Sequence, residues 1–235
     1  MNLLLFIQEQ GSAVLDPIVS TQAPAPEAKM NLFDMAMNGG WLMIPIVLLL
    51  FIAIAVFIER LLVINKAGKE DASFMHRIKD YIHEGKIQSA LNLCKKTNTP
   101  YSRMIEKGIT RLGRPMNDIQ VAIENVGTIE VAKLEKGFPW IATTAAAAPM
   151  IGFLGTVTGM VQAFFSMANA GADISISLLS GGIYQALVTT VAGLIVGIIA
   201  LFGYNYLVSR VNGVVAQMES QSMEFMDLLN EPSNA

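Results

Sequence analysis

Residues 151–160 read IGFLGTVTGM and lie within one of two long uncharged stretches, 137–172 and 174–209, which only Asp173 separates. As helices, these stretches would each be about 54 Å long at 1.5 Å per residue, whereas the hydrocarbon core of a bilayer is about 30 Å thick. The sequence therefore predicts two membrane helices that either continue beyond the bilayer or bend near Asp173.

The composition of the whole chain also indicates a membrane protein. Hydrophobic residues make up 53% of the 235 residues and charged residues only 15%, as is typical of a membrane protein. A further apolar segment, WLMIPIVLLLFIAIAVFI, covers 41–58 and is closed by Glu59 and Arg60. We therefore predict an all-α membrane protein with three transmembrane helices, in which the long second and third helices extend into a helical cytoplasmic domain.

The basic residues are distributed unevenly along the chain. Thirteen of the 16 Lys and Arg residues lie in 61–136, and cytoplasmic loops carry an excess of these residues. This predicts a cytoplasmic middle region and C-terminus and a periplasmic N-terminus. The predicted divisions are an N-terminal segment 1–40, a first span 41–60, a cytoplasmic helical region 61–136, a second span 137–172, a third span 173–209 and a cytoplasmic tail 210–235.

The N-terminal segment has three recognisable parts. MNLLLFIQEQGSAVLDP lacks a basic n-region and has an apolar run shorter than an h-region, which argues against a cleaved signal peptide without excluding one. STQAPAPEAK has the composition of a linker, and MNLFDMAMNGG has the pattern of a short amphipathic helix at the membrane interface.

The region 61–136 reads as short amphipathic helices. Apolar residues recur with helical spacing, and EGK, TNTP and GRP interrupt the pattern. From Asn117 the apolar period runs toward Lys136, and only GFP separates it from the second span. We therefore expect one long, nearly continuous helix that passes from this region into the membrane.

We find no pattern of catalytic residues. His76 and His83 are seven residues apart on a charged amphipathic helix, which favours solvated surface positions over zinc ligands. The single Cys94 is interpreted as a small apolar helix residue. A net charge of −3, without a basic cluster, gives no support for a nucleic-acid partner. The sequence thus predicts no enzyme, no cofactor and no metal site.

Polar and small residues are concentrated in the two long spans. Gln185, Thr189, Gly193 and Gly197 follow one another at intervals of four and so share one helix face. Glycines four residues apart allow two helix backbones to approach closely, and a primary amide in lipid needs a partner or water. The stripe is expected to face the interior of a helix bundle, where these groups either pack helices or line a pore. The predicted helix-packing residues are Gly152, Gly155, Gly159, Gly193 and Gly197.

Two segments together resemble a known family. GFLGTVTGM at 152–160 and GGIYQALVTTVAGLIVGI at 181–198 are similar to the signature of the MotA/TolQ/ExbB proton-channel family, with its ExbB branch as the nearest likeness. The resemblance implies a homo-pentamer in the bacterial inner membrane, in contact with lipid, around a pore that holds a dimer of an ExbD-like single-span subunit. It further implies that proton flow energises a TonB-like protein. The pore-lining residues implied by the resemblance and the polar stripe are Thr156, Gln185, Thr189 and Thr190.

One position departs from the family pattern. ExbB and TolQ proteins commonly carry a glutamate five residues before the third-span threonine, and this chain has Gln185 there. An amide cannot exchange a proton near neutral pH. We therefore hypothesise that this subunit is a polar sleeve without a titrating group, and that the partner supplies the carboxylate. The identity of the ion stays open.

Other functions fit the same residues. A TolQ-like or other stator subunit would serve envelope maintenance or motility, although a MotA-type stator is expected to have four spans. A structural scaffold would use the glycines and threonines only to pack helices and would conduct no ions. The sequence alone does not separate the ExbB role from the TolQ role.

Overall fold

A computed structural model describes residues 39–69, 71, 73–169 and 176–230, with 176–178 described by their backbone only. The predicted linker, the interfacial helix except for Gly39 and Gly40, the loop at Asp173 and the last five residues lie outside the described residues. Seven helices and no strands make up the described part of the chain. The predicted all-α membrane fold is confirmed.

Three of these helices are long and apolar enough to cross a membrane. The first, α1 (Met43–Ala67), has 25 residues and begins three residues after Gly40, which has a φ of 71°. Its large apolar side chains face outward along most of its length, as with Phe51 at 67% exposure. Such a surface is stable only against lipid or another protein, because water would not solvate it.

Four shorter helices follow α1. They are α2 (Phe74–His83), α3 (Ile87–Thr97), α4 (Pro100–Ile109) and α5 (Met116–Glu135). The breaks fall at the three predicted interruptions: Gly85 and Gly113 have positive φ values, and Asn98 adopts the left-handed conformation just before Pro100. These residue types end helices because they tolerate positive φ or lack the backbone N–H donor.

Helices α2 to α5 form the region that we call the helical head, together with the ends of α1 and of the last helix. Its core holds the fully buried side chains Phe74, Ile105, Ile123 and Phe225, and Cys94 lies in the same cluster. Gly108 lies where α4 meets this core, because an added Cβ would lie 2.6 Å from the ring of Phe225. The head is therefore one packed unit rather than separate amphipathic segments.

The sixth helix, α6 (Phe138–Asn169), begins one residue after a sharp break. We expected a nearly continuous helix here, but α5 ends at Glu135 and Gly137 has a φ of 93°. An added Cβ at Gly137 would lie 3.1 Å from Val56 of α1, so the backbone passes close to that helix. A left-handed residue at a close approach needs glycine, and the run is therefore two helices.

The last helix, α7 (Ile176–Asn230), is a single helix of 55 residues, about 80 Å long. Its first part pairs with α6, and its second part is buried in the head through residues such as Leu207, Val211 and Met218. The segment expected as a C-terminal tail therefore continues the third membrane helix as far as Asn230.

Candidate functional site

The predicted site residues meet where α6 and α7 pack against each other. The two helices run antiparallel, so that Gly197 lies beside Pro149, Gly193 beside Gly152, and Gly159 beside Ala186. We call this contact the small-residue seam. Its residues are Ala145, Ala148, Pro149, Gly152, Gly155, Gly159 and Ala163 of α6 and Gly182, Ala186, Thr189, Gly193 and Gly197 of α7.

At the centre of the seam the two backbones are in direct contact. An added Cβ at Gly193 would lie 2.5 Å from the carbonyl oxygen of Ala148 and 3.0 Å from Cα of Gly152. An added Cβ at Gly152 would lie 3.0 Å from the carbonyl oxygen of Thr189. Backbone atoms cannot move aside by changing rotamer, so this crossing requires glycine on both helices.

The other glycines of the seam each receive a neighbouring side chain. Thr189 fills the notch at Gly155, where an added Cβ would overlap its hydroxyl group, and an added Cβ at Gly159 would lie 2.8 Å from Cβ of Ala186. Gly197 lies against the ring of Pro149, with 2.5 Å from an added Cβ to Cγ. All five predicted packing glycines thus take part in one helix pair within a single chain.

Pro149 adds a second feature to this contact. It lies inside α6 and has no N–H to donate to the carbonyl oxygen of Ala145, four residues earlier. That oxygen points to Gly197, because an added Cβ there would lie 3.1 Å from it. A side chain at position 197 would therefore crowd both the proline ring and the freed carbonyl oxygen.

The predicted pore-lining threonines occupy different environments. Thr189 is only 2% exposed, and its hydroxyl donates to the carbonyl oxygen of Ala186 at 2.7 Å. Thr190 is half-buried and donates across the seam to the carbonyl oxygen of Gly152 at 2.9 Å. Thr156 is half-buried and donates within its own helix to Phe153 at 2.6 Å. Each hydroxyl proton is therefore engaged, while the oxygen lone pairs remain able to accept a hydrogen bond.

Gln185 lies at the end of the seam near the start of α1. Gln185 is exposed, and its side chain reaches Gly40. The amide nitrogen of Gln185 occupies the space that a Cβ added at Gly40 would fill. A polar cavity of about 160 Å³ opens at this end and is lined by Gln185, Thr158 and Thr189 together with other small and polar residues. This volume is large enough to hold several waters. The site can therefore hydrate a polar or charged group at this depth.

The seam has no ionisable acid or base of its own. From Phe138 to Asn169 and from Ile176 to Ser209 the chain carries no Asp, Glu, Lys, Arg or His. In these described stretches of α6 and α7, the polar chemistry consists of hydroxyls, amides and backbone carbonyls. These groups can solvate an ion or a hydrogen-bonded water but cannot carry the proton themselves near neutral pH.

The sequence interpretation missed two buried charged groups of the head. Glu130 of α5 is 3% exposed and accepts hydrogen bonds from Arg103 of α4 and from Lys133, the latter at 2.7 Å. Burial would raise the pKa of Glu130, but hydrogen bonds from these two cations outweigh it and lower the pKa below the ordinary value. Arg60, 7% exposed, donates to the carbonyl oxygen of Lys133 at 3.2 Å and so ties α1 to α5. Glu130 lies at a position where the helical period of α5 predicts an apolar residue, and a charged residue there could have indicated a buried ion pair.

The residues considered for metal or redox chemistry lie away from the seam. His76 and His83 are exposed on α2, as predicted. Cys94 is fully buried, and burial together with Glu106 raises the pKa of its thiol to about 12. Its interpretation as an apolar packing residue is confirmed by its place in the core of the head.

Comparison with known proteins gives consistent matches. The family model described as "MotA/TolQ/ExbB proton channel family" matches residues 96–220. This range is more than half of the chain and includes the entire seam. The TolQ protein of the Tol-Pal system of Haemophilus influenzae is 27% identical over 220 residues, covering 86% of this chain and 95% of that protein.

Two further relatives carry ExbB names. A Synechocystis sp. ExbB-like protein is 26% identical over 211 residues, which is 89% of this chain and 78% of that protein. The biopolymer transport protein ExbB of Xanthomonas campestris is 36% identical over 107 residues, which is 45% of this chain and 42% of that protein.

Proposed function

Because this chain belongs to the MotA/TolQ/ExbB proton channel family, we propose that it is the multi-pass subunit of a proton-driven motor in the bacterial inner membrane. In this proposal it forms a homo-pentamer around a dimer of an ExbD-like single-span subunit. The motor energises a TonB-like protein for transport across the outer membrane, and the head faces the cytoplasm. The chain is then a conducting and force-transmitting subunit rather than an enzyme.

The seam carries this proposal. It places Thr156, Thr190 and Gln185 in a membrane helix pair that contains no Asp, Glu, Lys, Arg or His between Phe138 and Asn169 or between Ile176 and Ser209. Hydroxyl oxygens with free lone pairs can stabilise a hydrated proton in passing, but they cannot hold it between steps. The titrating carboxylate is therefore assigned to the membrane aspartate of the single-span partner, and this chain supplies the polar sleeve around it.

Flux through the reconstituted complex tests the sleeve. The complex is placed in liposomes with a pH-sensitive dye, and a sodium gradient is run as the ion control. We expect Thr156→Val to reduce proton flux about tenfold, as the loss of about 1.4 kcal/mol of polar stabilisation predicts. Thr143→Val, at an exposed position of α6 near its Phe138 end, is the matched control and should keep most of the flux.

The location of the carboxylate is tested in the same liposomes. Gln185→Ala should retain measurable flux, whereas replacement of the partner's aspartate by asparagine should abolish it. If Gln185→Ala abolishes flux and the partner variant conducts, the sleeve assignment is wrong. If no variant and no wild-type complex conducts any ion, the chain is a membrane scaffold.

A role in envelope maintenance is the second candidate. The observation that favours it is the match to Haemophilus influenzae TolQ, which extends over 86% of this chain and 95% of that protein; the match to the Synechocystis ExbB-like protein covers a similar share of this chain, 89%. Complementation separates the two roles. Restoration of energised uptake in a strain lacking ExbB supports the first, and restoration of detergent resistance in a strain lacking TolQ supports the second.

A further inference from the structure

A groove on the helical head has no part in the seam. It has a volume of about 970 Å³ and runs between α5 and the last part of α7. Five of the chain's 14 methionines line it: Met104, Met116, Met218, Met223 and Met226. We call it the methionine groove. Met223 is 62% exposed, so an apolar side chain stands open to solvent here.

Methionine-lined surfaces accommodate helices of varied sequence. The thioether chain is unbranched and adjusts its rotamers to the side chains that it contacts. Along α5 the groove extends from Met116 to Glu135, about 29 Å at 1.5 Å per residue. That length matches a partner helix of about 20 residues lying along α5.

The charges at the groove all have one sign. Its lining includes Glu124 and Glu135 of α5 and Glu219 and Asp227 of α7, and among the described residues that line it there is no Lys, Arg or His. An apolar floor with acidic edges complements a helix that has an apolar face flanked by basic residues.

The chain itself does not supply such a helix. Residues 1–38 contain one basic residue, Lys29, and four acidic residues, and 231–235 contain only an acidic one. A second copy that presented its own α5 and α7 would bring like charges together, since α7 after Arg210 carries three acidic residues and no basic ones. The other basic residues of the head include those on α2, α3 and α4, which are helices of only 10 or 11 residues, about half the length of the groove. A basic helix long enough to span the groove is therefore assigned to a different protein.

We propose that the methionine groove is the docking site for a basic amphipathic helix of another protein. The apolar face of that helix contacts the methionines, and its Lys or Arg residues pair with the four carboxylates. This surface is separate from the seam, so its occupancy does not depend on which ion the membrane region conducts.

Binding of a model helix tests the groove. The full chain is placed in phosphatidylcholine nanodiscs, and the probe is a fluorescein-labelled Leu/Lys peptide of about 18 residues, with Leu at helical spacing. Anisotropy should show saturable binding that weakens with salt and exceeds the partitioning of the peptide into empty nanodiscs, which is subtracted. The same peptide with Glu in place of Lys should not bind.

Charge reversal locates the binding. Glu219→Lys combined with Asp227→Lys should weaken peptide binding at least about tenfold. Asp80→Lys combined with Glu84→Lys makes the same charge change at exposed positions of the head outside the groove, and it should change binding less than about twofold. Equal effects of the two pairs, equal binding of the Glu peptide, or no binding at all would overturn the proposal.

A further experiment tests whether a second copy of the chain already covers the groove. Met223→Cys should react rapidly with maleimide and become protected when the peptide is added. Protection before any peptide is added would mean that a second copy covers the groove, and this result also overturns the proposal. The native Cys94 adds little background because it is buried and its thiol pKa is about 12.

Discussion

Replacing Gly193 by alanine should open the small-residue seam. The added Cβ would lie 2.5 Å from the carbonyl oxygen of Ala148, 3.0 Å from Cα of Gly152 and 3.2 Å from its backbone nitrogen. Ordinary contact begins near 3.4 Å, so the helices must separate by about 0.9 Å at this crossing. None of the three contacted atoms belongs to a side chain that could rotate away.

The free-energy cost follows from this displacement. Overpacking of this kind costs about 1–3 kcal/mol. A separation of about 0.9 Å would also lengthen the 2.9 Å hydrogen bond from Thr190 to Gly152 beyond 3.5 Å, at a further cost of about 1 kcal/mol. The higher helix propensity of alanine returns about 1 kcal/mol. We expect a net loss of about 2 kcal/mol, or roughly a 30-fold lower ratio of folded to unfolded protein.

Gly181→Ala is the matched control in the same helix. Gly181 is exposed, and an added Cβ there would have nothing within 4 Å. This variant should therefore be as stable as the wild type or slightly more stable, through helix propensity alone. Both variants are unfolded by titrating SDS into mild-detergent micelles, with the combined fluorescence of Trp41 and Trp140 as the signal.

Equal free energies of unfolding for the two alanine variants would refute the reasoning. That result would mean that α6 and α7 are not in backbone contact at Gly193, or that the seam can separate without cost. In the Thr190→Val background, the loss of unfolding free energy caused by Gly193→Ala should be smaller than in the wild type by the hydrogen-bond contribution alone. That result would support the reasoning, because contacting sites are not additive.

Three further outcomes follow from the described contacts. Thr190→Val should cost about 1 kcal/mol of unfolding free energy in the wild type, whereas Thr190→Ser should cost less, and SDS titration measures both. Glu130→Gln should cost about 1–3 kcal/mol at pH 7, because Arg103 and Lys133 lose a charged acceptor. The pKa of Glu130 is lowered in the folded state. Its stabilisation is therefore present above the ordinary carboxyl pKa and is lost as the pH falls through the lowered pKa. The difference in thermal unfolding temperature between the wild type and Glu130→Gln should disappear in acid. Cys94, with a thiol pKa of about 12, should have about one thiolate in ten thousand thiols at pH 8, and maleimide should label it only after denaturation.

Much of the fold could be predicted from the sequence because its signals are local. A span needs about 20 apolar residues, and segments such as 41–58 meet that requirement without reference to the rest of the chain. The breaks between the head helices contain Gly85, Asn98 and Gly113, where residue type alone favours a break. The interval of four residues also placed Gln185 and Thr189 on one face.

Other features depend on distant residues and could not be predicted in this way. The break at Gly137 depends on its close approach to Val56 of α1, and the GFP signal is the same with or without that neighbour. Periodicity gives the face on which Thr189 lies but not the helix that covers it, and the covering helix is α6 of the same chain. The pairing of Glu130 with Arg103 joins residues 27 positions apart, a separation that carries no local pattern.

Two of the connections between the membrane helices and the head differ in stiffness. Helix α7 contains no proline and runs unbroken from Ile176 to Asn230, so it is a strut about 80 Å long that transmits an axial load over its whole length. The other connection, from α6 to α5, turns at Lys136 and Gly137, which lie between the two helices. A sliding or rolling of α6 along the seam is therefore absorbed at one joint, whereas the same displacement of α7 moves the head.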